Sequence, residues 1–503
     1  MNYSDLKKLK SGSDVRGIAS EITSPVTLID EVIYAIVRAF SAWHEKKCGK
    51  KPALIAVGHD VRISTDRILK QVLNAVTDEG VDALNCRLCS TPSMFMLLKG
   101  KIPCDASIMI TASHLPSDRN GLKFFTPEGG LSGEDIDEIL HIAAEGDFAA
   151  AQKLGEVKCF SYLPYYCASL VEKVREACGE QQPLKGKKII VDAGNGAGGF
   201  FCDLVLKPLG ADTEGSINLE PDGTFPNHIP NPEDKKAIDC LKSAVLKEHA
   251  DLGVIFDTDV DRAGAVDCDG HEINRNYLIA LTAAMVLGEK GGTIVTDSVT
   301  SDGLTKFIEK LGGKHLRFKR GYKNVIDEAV RRNAEGEYCP IAIETSGHAA
   351  FADNYFLDDG AYLVTRILIC LAQQTKKGEK LGDLIKDLEH PVEEDEVRIT
   401  FNSLTNDFRA EGAQLIEDIK KKARAAGLDV AKDNYEGVKV SFKKGEGDGW
   451  FLIRMSVHDP VMPINFESNT KGGNKIIAAK LYDVIKDYAF IDAGNLEKFI
   501  RNA

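Results

Sequence analysis

Three times along the chain a short apolar run stops at a loop of small and polar residues. Ala106–Ile110 stops at Thr111-Ala112-Ser113-His114. Leu252–Phe256 stops at Asp257-Thr258-Asp259-Val260-Asp261-Arg262. Ile341–Ile343 stops at Glu344-Thr345-Ser346-Gly347-His348. Apolar runs this short, bounded by breakers, read as strands buried on both faces. They alternate with stretches of helical periodicity, the pattern of a doubly wound sheet. In open sheets of that kind the loops at the carboxyl ends of strands carry the site. The recurring strand–loop–helix–strand unit reads as an internal topological repeat rather than a short-period solenoid.

A chain of 503 residues is too long for one core. The expected fold class is α/β. Three doubly wound mixed-sheet domains of similar topology span 1–155, 156–272 and 273–390, and a C-terminal α+β domain spans 391–503, with a central active-site cleft. In the first domain, a glycine-bracketed loop carries Arg16. The strand Ala53–Val57 runs into Gly58-His59-Asp60-Val61-Arg62-Ile63-Ser64. The helix after it places Ile68, Val72, Ala75 and Val76 on one face. In the second, Lys187–Val191 runs into a glycine-rich loop, 192–199. Its spacing is not G-x-G-x-x-G and no P-loop lysine follows, which disfavours a nucleotide site. A proline-rich irregular segment covers 221–232. In the last domain Val397–Phe401, Val438–Phe442, Trp450–Ile453 and Ile464–Glu467 read as strands. Asp407–Ala426 and a terminal Lys471–Tyr488 read as helices.

Composition narrows the class. Hydrophobic residues make up 43% and charged residues 28%, as in soluble globular proteins. A net charge of -13 argues against a nucleic-acid partner, which needs a basic field. It leaves room for an anionic small molecule, because a local Arg/Lys cluster opposes the global sign. No apolar run reaches membrane-spanning length, and the polar Met1–Lys10 stretch has no signal-peptide core. Of the 12 cysteines only Cys86 and Cys89 form a C-x-x-C pair, with no second pair at zinc spacing. The rest lie in apolar runs and read as buried thiols of a reducing compartment. A cytoplasmic protein without membrane or nucleic-acid partners, a monomer or homodimer, is expected.

The loops carry chemistry. Ser113 is a weak nucleophile as a free hydroxyl and needs a base or a charged partner. Lys123, ten positions on, starts an apolar run from which it could reach back. In an extended segment Asp257, Asp259 and Asp261 point to one side. Three carboxylates so close repel unless a cation offsets them, and oxygen ligands suit a hard divalent cation. Glu344 and Ser346, two apart on a loop, can accept from and donate to a pair of adjacent hydroxyls.

Taken together, T-A-S-H at 111–114 with Arg119-Asn120-Gly121-Leu122-Lys123, D-x-D-x-D-R at 257–262 and E-T-S-G-H at 344–348 resemble the α-D-phosphohexomutase superfamily, of the phosphomannomutase/phosphoglucomutase type. The resemblance extends over most of the chain. It implies an isomerase that moves a phosphoryl group between C1 and C6 of a hexose, glucose or mannose, through a phosphoserine and a bisphosphorylated sugar. It implies that Ser113 carries the group and, with Asp257, Asp259 and Asp261, binds Mg2+. Arg16 and Arg262 oppose the phosphate charge. Lys123 is the first acid/base candidate and His348 the second, and His114 adjoins the serine. Arg262, Tyr322, Lys323, Glu344, Ser346, Arg454, Ser456 and His458 are the implied substrate contacts. Glucose 1,6-bisphosphate or mannose 1,6-bisphosphate is the implied activator. The sequence departs from the family at Leu115, where Asn is usual, and at Val457 and His458, which replace Gly and Thr of the phosphate loop. Tyr322 stands where some bifunctional members carry His. A phosphoglucosamine or N-acetylglucosamine-phosphate mutase is the second reading, since nothing in the sequence identifies a pocket for a C2 nitrogen substituent. A non-catalytic sugar-phosphate-binding regulator on the same fold is the alternative of another class. A phosphatase lacks the D-x-D at the first strand that an aspartyl nucleophile requires.

Overall fold

The apolar runs do form buried strands, and the sheets they build place the loops. The computed structural model describes all residues except 23, 149–150, 289, 403–404, 406, 433, 457–459 and 502–503. The chain divides into two compact units, Met1–Leu278 with Ser346–Leu384, and Ile279–Thr345 with Ile385–Ala503.

In the first unit an eight-stranded mixed sheet runs in the order Lys10–Ser11, Asp14–Ile18, Arg119–Thr126, Ala106–Ile110, Leu54–His59, Asp82–Leu88 and Val157–Cys159. Gly129–Gly130 pairs with Arg119–Thr126. Leu54–His59 pairs in parallel with both Ala106–Ile110 and Asp82–Leu88. Arg119–Thr126 runs antiparallel to Ala106–Ile110 and to Asp14–Ile18, with Lys123 opposite Met109 and Gly121 opposite Arg16. Side chains alternate between two separate cores. Ile55, Val57, Ile108 and Ile110 pack with Ile68, Val72, Ala75 and Val76 of the helix Thr65–Asp78. Ala56, Leu84, Cys86 and Met109 pack on the other face with Met94, Phe95 and Leu97. Both faces are covered because a period of two sends successive side chains to opposite sides. Gly121 is required by the register: a Cβ there would lie 2.3 Å from the Val15 carbonyl oxygen and 2.8 Å from that of Thr111.

A second sheet in this unit runs Glu272–Ile273, Ala263–Asp267, Leu252–Phe256, Ile189–Asp192. Leu252–Phe256 is parallel to Ile189–Asp192 and antiparallel to Ala263–Asp267. Ile190, Ile255 and Val266 pack on Ile238, Leu241 and Val245 of the helix Lys235–Glu248. The glycine-rich loop leads into a 3-10 turn, Ala197–Gly199, and a π-helical turn, Cys202–Leu206.

In the second unit Gly292–Asp297 lies in parallel between Gly313–Phe318 and Ile341–Ile343. A six-stranded antiparallel sheet runs Asp429–Val430, Val438–Phe442, Gly449–Ile453, Val461–Ser468, Glu393–Phe401 and Ile491–Asp492. Helices Phe408–Ala425 and Gly473–Ile485 pack on it through Leu415, Ile419, Ile477, Ala478 and Leu481. This is the α+β arrangement expected of the last domain. Two expectations are corrected. Lys471–Tyr488 is not the terminal helix: the helix ends at Ile485, and a further helix, Gly494–Arg501, follows. Nor are the cysteines uniformly buried: Cys48 and Cys159 are exposed, and Cys178, Cys240 and Cys268 are half-buried. Cys48 closes the helix Asp30–Cys48 beside Lys46, Lys47, Lys50 and Lys51, and Cys159 follows Lys158 on the edge strand of the first sheet, so neither thiol is enclosed.

Candidate active site

Three loops leave the carboxyl ends of adjacent parallel strands in the first unit. They follow Ile110, His59 and Leu88 and bring Ser113, Arg62 and Thr91 to one edge of the sheet. Ser113 is 2% exposed, with φ at +53°. A left-handed conformation is uncommon for a residue with a Cβ and persists where surroundings over-determine it. Here the backbone N–H of Ser113 donates to Thr111 Oγ1 at 2.9 Å, and Thr111 Oγ1 donates to Asp60 Oδ2 at 2.7 Å.

The acidic loop connects Leu252–Phe256 to Ala263–Asp267. It is a turn, not the extended segment expected: the Val260 N–H donates to the Asp257 carbonyl, and Val260 has φ of +66°. The turn, rather than strand alternation, aims the three carboxylates together, with ligand oxygens of Asp257, Asp259 and Asp261 all within 4.8 Å of one another. All three side chains are buried. Burial, then Asp261 and Asp259, pushes the Asp257 carboxyl well above the usual range. Burial also raises that of Asp261, but Lys123, His348 and Arg262 outweigh it and hold it low. Lys123 Nζ donates to Asp259 Oδ2 at 3.1 Å and to Asp261 Oδ2. Thr91 Oγ1 donates to Asp259 Oδ2. The Oδ1 atoms of Asp259 and Asp261 are buried and accept no hydrogen bond among the described residues. Buried carboxylate oxygens left over by the protein, in an oxygen-only cluster of net negative charge, fit a hard divalent cation.

Ser113 Oγ adjoins this cluster. It donates to Asp257 Oδ2 at 3.1 Å and accepts from Arg262 at 2.9 Å. Arg262 Nε donates to Asp257 Oδ2 at 3.2 Å, and its guanidinium also donates to His114 Nδ1. The Arg262 charge, then burial, then Arg16, pushes the His114 imidazole down to about 2. His114 is therefore a neutral acceptor at physiological pH. Arg16 donates to Asp14 Oδ2 at 2.7 Å. His348 Nδ1 pairs with Asp358 Oδ2 and lies 4.0 Å from Asp261 Oδ1. Burial and then Asp261 raise the Asp358 carboxyl well above its usual range. The backbone of His348 bridges that of Arg262, and a Cβ on Gly360 would lie 2.6 Å from the Arg262 carbonyl carbon, so the helix starting at Gly360 packs directly against the arginine.

Ser113, His114, Lys123, the three aspartates, Arg262 and His348 are thus brought together, with Arg16 close enough to act on His114. Asp60, Arg62, Thr91 and Asp358 belong to the same constellation and were missed as site residues. The first two lie in the loop after Ala53–Val57, where nothing in the sequence marks their partners. Asp358 precedes a helix-capping Asp359-Gly360 pair, an ordinary helix start in sequence.

The remaining expected contacts belong to the second unit, apart from Ser346, which is buried in the first. The Gly321 N–H donates to Glu344 Oε1 at 2.6 Å, tying Glu344 to the start of the helix Tyr322–Ala334. Lys323 pairs with Asp327 at 2.8 Å. Thr345 donates through N–H and Oγ1 to Asp297. Arg454 is 6% exposed; its NH1 donates to the Met455 carbonyl at 3.4 Å, and its Nε has no acceptor among the described residues. Ser456 N–H donates to the Val461 carbonyl at 3.0 Å. His458 lies outside the described residues.

Family models for phosphoglucomutase/phosphomannomutase match successive parts of the chain: α/β/α domain I at residues 7–150, domain II at 164–270 and domain III at 274–391. A phosphoglucomutase of Neisseria gonorrhoeae is 31% identical over 476 residues, 94% of this chain and 95% of its own. The structure of a phosphoglucomutase/phosphomannomutase family protein from Burkholderia thailandensis superposes with a TM-score of 0.79 at 25% identity, covering 95% of this chain and 97% of the other. The N-acetylphosphoglucosamine mutase of Aspergillus fumigatus is farther away: TM-score 0.54 at 14% identity, over 94% and 93% of the two chains, a likeness of fold alone. By sequence, fold and the residues gathered at the sheet edge, the chain belongs to the phosphoglucomutase/phosphomannomutase family of phosphohexomutases, which are isomerases.

Proposed function

We propose that this phosphohexomutase interconverts hexose 1-phosphates and hexose 6-phosphates, of glucose, mannose or both, with Ser113 as the phosphoryl carrier. The observation that carries the assignment is the setting of Ser113 Oγ, between the Arg262 guanidinium and the carboxylate of Asp257. In the first half-reaction a sugar hydroxyl oxygen attacks the phosphorus on Ser113. The new P–O bond forms as the P–Oγ bond breaks, and the hydroxyl proton passes to a base. Arg262, with Arg16, opposes the charge on the phosphoryl oxygens and on the departing Oγ. Lys123 is the first candidate for moving the proton. His348 is the second, and its ring is held by Asp358 as an oriented base requires. In the second half-reaction Ser113 Oγ attacks the other phosphorus of the bisphosphorylated sugar: the new P–Oγ bond forms as the bond from that phosphorus to the sugar oxygen breaks, and the base passes a proton to the departing sugar oxygen. A divalent cation, Mg2+ by its oxygen donors, would be held by Asp257, Asp259 and Asp261 with a phosphoserine oxygen and would supply positive charge against the transferring group.

Glu344 and Ser346 read the sugar hydroxyls, with Tyr322 and Lys323 as further contacts. Arg454, whose buried Nε has no acceptor among the described residues, grips the phosphate that is not transferred, together with Ser456. The bisphosphorylated sugar must return to Ser113 if it escapes, which makes glucose 1,6-bisphosphate or mannose 1,6-bisphosphate the activator. Intact mass of the full chain after incubation with glucose 1,6-bisphosphate tests the assignment. One added phosphate is expected, absent in Ser113→Ala together with turnover. Undiminished turnover in Ser113→Ala refutes it.

A further inference from the structure

Arg62 sits under the serine loop, and the guanidinium has no donor left over. NH1 donates to the carbonyls of Pro116 at 2.7 Å and Arg119 at 2.9 Å. NH2 donates to the carbonyls of Leu115 at 2.8 Å and of Ser113 itself. Nε donates to Asp60 Oδ2 at 3.2 Å. An arginine has five N–H donors, and the loop's backbone takes four of them. The side chain is fully buried. Asp60 thus links two supports of Ser113, holding Arg62 below the carbonyls and Thr111 below the Ser113 N–H.

The irregular proline-rich segment finds its use here. Gly223 bridges Arg62 in backbone register, and a Cβ on it would lie 2.4 Å from the Val61 carbonyl oxygen. Phe225, in the left-handed region at φ of +51°, lays its ring 5.4 Å from the guanidinium carbon. A residue of the second family-model region thereby backs a residue of the first.

We infer that Arg62, braced by Phe225, is the positioning residue of the phosphoryl-carrying loop: it fixes the backbone from Ser113 to Arg119 so that Ser113 Oγ stays aligned with Arg262 and the acidic triad. The inference rests on Ser113 as the carrier. Lysine cannot replace Arg62, because its three donors cannot meet the four carbonyls and the Asp60 carboxylate that the guanidinium satisfies, and it lacks the planar fork.

The test uses the full chain as wild type, Arg62→Lys, Phe225→Leu and Ser113→Ala. Steady-state turnover of glucose 1-phosphate with glucose 1,6-bisphosphate is measured alongside amide hydrogen exchange. For Arg62→Lys, kcat is expected to fall about 10²-fold, the scale set by a misplacement of about 1 Å in a reacting group, with KM within about threefold. Exchange over 111–119 accelerates. Phe225→Leu keeps every hydrogen bond and loses only the ring face, so kcat falls about two- to fivefold with the same KM pattern. Phe225→Leu also decides the matter if Arg62→Lys fails to fold. Unchanged kcat and unchanged 111–119 exchange in Phe225→Leu overturn the inference, as does a rise in KM alone in either variant. Turnover by Ser113→Ala would instead sink the carrier assignment, and the exchange data would still report whether Arg62 holds the loop.

Discussion

Replacing Lys123 by methionine should destabilise the metal-free protein strongly, and Mg2+ should return most of the loss. The ammonium lies 3.1 Å from Asp259 Oδ2 and also contacts Asp261 Oδ2, all three side chains being at least 95% buried. At an effective dielectric of about 20, a unit-charge pair at that distance is worth about 5 kcal/mol before desolvation is subtracted. Methionine keeps the stem's packing and avoids a desolvated ammonium, but it leaves two buried carboxylates facing Asp257 with Arg262 and His348 to offset them. Removing one partner of a buried pair costs about 3–5 kcal/mol for that reason. Thermal melting followed by circular dichroism in EDTA should therefore place the variant several degrees below wild type. A cation in the triad replaces the missing positive charge and, binding the folded state, stabilises it by mass action. Millimolar Mg2+ should raise the variant's melting temperature more than that of wild type. Equal melting temperatures in EDTA would refute the energetic role of the ion pairs, and equal Mg2+ responses would refute charge replacement.

Three further outcomes are expected. Arg454→Ala should raise KM for glucose 1-phosphate about 10- to 100-fold, the worth of charge-assisted hydrogen bonds to a phosphate, with kcat falling less; steady-state kinetics check it, and an unchanged KM removes Arg454 from the phosphate site. His228 is buried against Asp192 Oδ2 at 2.9 Å; burial opposes its charge, but the Asp192 hydrogen bond and charge, the Ile229 carbonyl and Asp234 together outweigh it and raise its pKa. A pKa raised on folding gives stability that is complete below about pH 6.5, the unfolded value, and lost as pH rises through the folded one; urea midpoints against pH should show that fall in wild type and not in His228→Asn. A thiol reagent should label Cys48 and Cys159 first, while Cys89, whose thiol burial pushes up to about 12, stays unlabelled until unfolding; mass spectrometry of time points reads the order.

The residues proposed for the chemistry stand out in the sequence because they fall in short local patterns. Ser113, and Asp257 with Asp259 and Asp261, are local patterns on loops after apolar strands, and the continuous burial of Ala106–Ile110 and Leu252–Phe256 ends where those loops begin. The extended geometry ascribed to the acidic loop was wrong, since no residue in it signals the left-handed turn at Val260. The cysteines show a related limit: Cys48 and Cys159 lie beside lysines, at a helix end and on a sheet edge, and both are exposed although buried thiols were expected.

The sequence by itself determined the alternation of elements, the serine and acidic loops, and the family to which they belong, because periodicity, breakers and short motifs are encoded within single segments. Only the tertiary structure decided the partners. Arg62 meets Ser113 from 51 positions away, Lys123 meets Asp259 from 136, and Arg262 meets Ser113 from 149. Asp358 reads as part of a helix start in sequence and becomes the orienting carboxylate of His348 only when the chain returns to the acidic loop. A segment records whether its residues will be buried. Which donor faces which acceptor depends on the register of strands and the crossing of loops, and those are set by packing across the whole unit.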